Sequence, residues 1–164
     1  MKSRVYLSAG ASVMTILIVG LLILGCIATY GSSKFILLLI VLAILLMFAM
    51  LYAPLSVSAN EKEIKVRSPI KTHSIPMRRV VGCELFRPTM GALRVCGSSG
   101  FMGYWGIFRE GDIGRYMAYY GKGSDCFIIH LDNGDKYVLG CQNSKGMVDY
   151  INLHINSSNP RQSD

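Results

Sequence analysis

The chain predicts a two-helix transmembrane hairpin followed by a mainly β domain of about seven strands, closed by one C-terminal amphipathic helix. Three observations carry this reading. Charge is missing from the first third: 16% of the 164 residues are charged, yet between Val5 and Pro54 only Lys34 is, and all ten acidic residues lie later. Beyond Pro54, short stretches alternate apolar and polar residues with the period of two that marks half-buried strands. Near the end, Met147, Val148, Ile151 and Ile155 recur at helical spacing. The expected division is a hairpin over residues 1–54, a domain over 55–156 and a polar tail over 157–164.

The first span is expected over residues 5–29, an uncharged run of 25. As a helix it is about 37 Å long, enough to cross a ~30 Å hydrocarbon core with some tilt. The second, over residues 35–53, is almost wholly Leu, Ile, Met, Val and Phe, and Pro54 ends it. "YGSSK" between them is short and built of turn formers, so the spans must be antiparallel neighbours. Lys2 and Arg4 flank the first span and Lys62, Lys65, Arg67 and Lys71 follow the second, against Lys34 alone in the loop. The positive-inside bias then places both termini in the cytoplasm. A cleaved signal peptide has a shorter apolar core and no second span behind it. "ILGC" at residues 23–26 is a weak lipoprotein-like site, because Leu24 stands where a small residue is usual. Ser8, Ala11, Ser12 and Thr15 form a small-residue face, expected to pack on the partner span rather than on another protein.

The domain reads as strands in "LSVSA", "EIKVR", "THSIP", "RRVVGCELF", "ALRVCG", "IGRYMAYY", "DCFIIHL" and "KYVLGC". Asn133–Gly134 suggests a type I′ hairpin turn between the last two. Asn143 or Ser144 would cap the closing helix. Between two of the strands lies "GSSGFMGYWGIFREGDIG", residues 97–114, with six glycines and the aromatics Phe101, Tyr104, Trp105 and Phe108. A phosphate-binding loop would need a following helix and a Lys at the phosphate, and neither is present. Two readings remain open. The glycines permit bulges and turns while the aromatics fill a sheet face. Alternatively the aromatics sit at the bilayer surface, with Arg109 and Arg115 meeting anionic lipid.

About seven strands followed by one amphipathic helix make the layout of the pleckstrin-homology (PH) superfold. The chain resembles the bacterial PH-like domain proteins, many of which carry an N-terminal transmembrane helix pair. The residues that carry the likeness are "GSSGFMGYWGIF", Gly114 and Tyr116, the "FIIHLDNGDKYVL" hairpin and the closing helix, together with the preceding stretch from residue 53. The resemblance implies a PH-like barrel or sandwich and a binding or scaffolding role, with a protein, a peptide or a lipid headgroup as ligand; the fold does not choose among them. Lys62, Lys65 and Arg67 only loosely match the basic hairpin of phosphoinositide-binding PH domains, because Glu61 and Glu63 interleave with them. Phosphoinositide binding is therefore not carried over. The step Gly140–Cys141–Gln142–Asn143 also departs from the Ser-Pro-like step common before the final helix.

The remaining residues point away from catalysis. His73, His130 and His154 are far apart, no nucleophile motif exists, and Asp132 and Asp135 flank a turn. The five cysteines form no CxxC pair and read as buried thiols in a reducing compartment. No cofactor or metal is expected. Net charge is +7, of which +4 belongs to residues 55–164, too little to suggest nucleic acid. The expected partners are the bilayer, anionic headgroups or a protein, and an oligomer is compatible. The alternatives to a binding module are an accessory subunit of a membrane complex and, less favoured, an enzyme of unrecognised type.

Overall fold

The structure is a computed structural model and describes residues 1–89, 92–111 and 113–158. The expected tail, apart from its first two residues, lies outside the described residues, as does Asp112 of the glycine-rich stretch. Two apolar helices come first, α1 (Ala9–Ala28) and α2 (Ser33–Tyr52). Ser8 caps α1 by accepting from Ala11 N, and Ser32 caps α2 by accepting from Lys34 N. Both are long and apolar enough to cross a bilayer, and nearly all of each is uncovered by the rest of the protein. Buried core helices of soluble domains do not look like this, because their apolar faces are covered. The helices approach closely at Gly25, where an added Cβ would lie 3.3 Å from Leu38.

Among the described residues ten strands form two sheets, more than the seven or so expected. The first sheet orders β1 (Lys2–Arg4), β2 (Ser56–Ala59), β3 (Glu63–Arg67) and β4 (Thr72–Pro76), all antiparallel. The second contains β5 (Val80–Leu85), β6 (Leu93–Gly100), β7 (Gly103–Glu110), β8 (Gly114–Tyr120), β9 (Cys126–Leu131) and β10 (Lys136–Gly140), in the order β5-β9-β10-β8-β7-β6. The strands that exceed expectation include β1 and β7. β1 is too short to show a period. β7 hides among glycines, because Gly103 and Gly106 break up the aromatic and apolar residues along the strand.

The sheets pack around Val57, Ile64, Val66, Ile75, Phe127, Ile129 and Leu139. Helix α3 (Ser144–Ser158) closes the structure with Met147, Val148 and Ile151 buried against that core, as its spacing predicts. Asn143 is its cap, accepting from Gly146 N at 3.1 Å. A second cluster, with Phe108, Tyr116, Tyr120 and Val138, fills the other face of the larger sheet. There the buried Glu110 carboxylate accepts from Thr89 N at 3.0 Å and pins the segment leaving β5. The β9–β10 hairpin forms where expected, but its turn is not type I′. Gly134 has φ +82, whereas Asn133 is not among the positive-φ residues; its side chain instead accepts from Asp135 N. The four-residue connection lets Asn133 use a local side-chain bond in place of a left-handed backbone.

Candidate functional site

The glycine-rich stretch and the ends of the apolar helices meet in a closely packed joint. Gly97 and Gly106 are cross-strand partners on β6 and β7, with φ +121 and +116. A Cβ on Gly97 would lie 2.1 Å from Trp105 O, and one on Gly106 would lie 2.2 Å from Cys96 O. The two backbones therefore touch where no side chain fits. A register shift between Arg94 and Cys96 adds a bulge just before. Bulges and glycines of this kind bend and twist a hairpin.

The bent hairpin carries its tip, Gly100–Gly103, to the first turns of α1. Thr15 Oγ1 accepts from Met102 N at 2.9 Å, and Met14 and Leu7 lie against Gly100 and Gly103. The small-residue face of α1 is thus used at Thr15 by the domain, in place of the partner span. Trp105 stacks on Tyr52, the last residue of α2, with ring centroids 5.4 Å apart, and Tyr52 stacks in turn on Phe48. Trp105 Nε1 donates to Phe101 O at 3.2 Å, so the indole keeps a polar partner while 9% exposed.

The chain before α1 belongs to the joint as well. Val5 N donates to Leu55 O, Gln142 N to Arg4 O and Ser8 N to Gly121 O. Gly121 is required there: a Cβ would fall 2.2 Å from Tyr6 O. On the other side, Leu55 N donates to Arg67 O and Ile70 N to Met50 O. Both helices are therefore bonded to the β-domain within a residue or two of their ends, with no flexible linker between.

The residues singled out from the sequence fall into three places. Trp105 and Phe108 are buried, in the main core and in the second cluster respectively. Phe101 is half-buried at the hairpin tip, and Tyr104 is half-buried on Tyr120, with centroids 4.8 Å apart. Arg109 and Arg115 are exposed cross-strand partners at the other end of β7, six residues and about 20 Å from the tip. Lys65 and Arg67 lie on the outer face of β3, while Lys62 sits at the far turn of β2–β3. The four aromatics and two arginines thus do not share one surface. Composition alone could not separate them; the pairing of Gly97 with Gly106 does.

Burial sets the protonation of groups in both apolar clusters. His73 stacks on Tyr119 and Tyr137, with centroids 5.8 and 5.6 Å away. Burial, and then the Lys71 charge, lowers its pKa below the ordinary 6.5. Burial, with Tyr137 and Tyr52 near, pushes the Tyr119 hydroxyl up to about 12. The Cys83 thiol is likewise raised to about 12, chiefly by burial, and Cys126 is raised too. These thiols stay protonated at neutral pH, the opposite of what a reactive cysteine needs. Cys96 alone of the five is exposed. Among the described residues no three His, Cys, Asp or Glu side chains gather as a metal site.

No curated protein and no solved structure matches the chain. A family model described as the bacterial PH domain matches residues 55–155. That span runs from just after α2 to the last turn of the closing helix, and it covers both sheets except β1. The two sheets and the closing helix are what the matched region and the geometry have in common, and the chain belongs to the bacterial PH-domain family.

Proposed function

We propose that the chain is a binding or scaffolding module anchored in the bacterial inner membrane, with a two-span hairpin and a PH domain on the cytoplasmic side. One observation carries the topology. Lys2–Arg4, before the first helix, pairs with Ser56–Ser58, after the second. Two crossings that return to the same sheet must begin and end on the same side of the membrane. The excess of Lys and Arg at that end supports the cytoplasmic side. The joint supports a fixed display: the domain rides on the helix ends in one orientation, with its remaining surface turned toward a ligand rather than enclosing a reaction centre.

Cys96 provides the test, because the other four thiols are buried. A membrane-impermeant maleimide is expected to label the full chain in inverted inner-membrane vesicles and not in intact spheroplasts. Labelling of spheroplasts would reverse the orientation. Release of the chain by an alkaline carbonate wash would remove the anchor.

A further inference from the structure

The four-stranded sheet turns Val57, Ile64, Val66 and Ile75 into the core. Its other face carries two cross-strand rows. One reads Arg4, Ser56, Arg67, Thr72; the next reads Lys2, Ser58, Lys65, Ser74. Cations alternate with hydroxyls in both. Lys2, Lys65 and Arg67, with Ser56, Ser58 and Thr72, line a shallow cleft of about 530 Å³.

Charge is sorted along these strands. The Arg4–Arg67 row adjoins the helix ends, since Leu55 N bonds to Arg67 O and Val5 N to Leu55 O. The Lys2–Lys65 row is two residues further, about 7 Å. Glu63 lies beyond it, paired with Lys65 and Ser74. Glu61 and Lys62 come last, at the turn. Four cations therefore stand within about a Debye length of the helix ends; Lys65 is shared with Glu63, while Lys2, Arg4 and Arg67 have no carboxylate ion pair among the described residues. Ile70 marks the membrane side of the same cleft: it is 65% exposed, lines the cleft and is bonded to Met50 in α2. On the anchor reading above, an exposed isoleucine beside a span suits the interfacial layer of the bilayer.

We propose that this sheet face, through Lys2, Arg4, Lys65 and Arg67, binds the anionic headgroups of the bilayer that the hairpin spans. The inference rests on the anchor reading above. The chemistry is a phosphate oxygen accepting from guanidinium and ammonium groups, with Ser56, Ser58 and Thr72 hydroxyls as further donors. β1 is the essential part, because it brings Lys2 and Arg4 from before the first helix to complete the rows.

The test uses the full chain reconstituted in phosphatidylcholine mixed with phosphatidylglycerol, then extracted in mild detergent, with the retained lipid measured. Phosphatidylglycerol is expected to be enriched several-fold over its share in the bilayer. The combined K2Q/R4Q/K65Q/R67Q variant should bring the ratio back to that share, whereas the R109Q/R115Q variant should keep the enrichment. Unchanged Trp105 emission shows that a variant remains folded. Should the fourfold variant unfold, Arg67→Gln and Lys65→Gln alone are each expected to lower the enrichment. No enrichment in the parent chain, or enrichment that survives the substitutions, overturns the inference while leaving the anchor standing. Extraction of the parent chain by alkaline wash takes down both.

Discussion

Gly106 is held by two constraints at once, a left-handed φ of +116 and a neighbouring carbonyl 2.2 Å from where a Cβ would be. Gly106→Ala must either strain the backbone or part the hairpin, and the expected cost is about 2–3 kcal/mol. Denaturant unfolding of the full chain in detergent, followed by Trp105 emission, measures it. His73 sets a pH dependence. Its folded pKa lies below 6.5, so the unfolded chain takes up the proton first as pH falls. Stability is complete above about pH 6.5 and declines below it, as linkage requires. Thermal midpoints recorded from pH 7.5 downward, to about pH 5, should show that decline, and His73→Phe, which keeps a ring between Tyr119 and Tyr137, should flatten it. Neither constraint was legible beforehand. The glycines announced sharp backbone, but only the register shows that two of them face each other, and the histidine's neighbours lie 46 and 64 residues away in the chain.

Most of the helices and strands, by contrast, could be read from their periods. Ile64 and Val66 alternate with Lys65 and Arg67, and Met147 and Ile151 share one helix face, because burial on one side leaves a repeat in the residues themselves. The two additions, β1 and β7, escaped because three residues show no repeat and because glycine carries no side chain to reveal a face. What holds one element to another left still less trace. The Tyr52–Trp105 stack joins α2 to β7 across 53 residues. Tyr52→Ala should therefore uncover the indole, moving Trp105 emission to the red in detergent-solubilised protein, while the parent emits as a buried tryptophan. An unshifted spectrum would mean that the strand core covers Trp105 without the helix.

For the whole molecule, composition separates membrane from domain but not how the one is mounted on the other. Apolar length predicts two spans, and the uncovered faces of α1 and α2 agree with it. The mounting depends on contacts of residues 1–15 and 50–52 with residues 55–142, most of them made by backbone groups, with the Tyr52–Trp105 stack beside them. Such contacts have no compositional signature. The same holds for the cationic face: Lys2 and Arg4 look like ordinary flanking charges until the sheet places them beside Lys65 and Arg67. Arg109 and Arg115, which adjoin the aromatics in sequence, belong instead to the far end of the domain.

Strand β1 also imposes an order on biosynthesis. It leaves the ribosome before either helix, and its partner β2 follows only after both. The smaller sheet therefore cannot be finished while the hairpin is still in transit. A chain whose helices enter the bilayer wrongly would hold Lys2–Arg4 on one side and Ser56–Ser58 on the other, with the edge of β2 left bare. On the proposed anchoring, completion of the smaller sheet follows only from correct insertion, and a misinserted copy would be left with the open edge of β2.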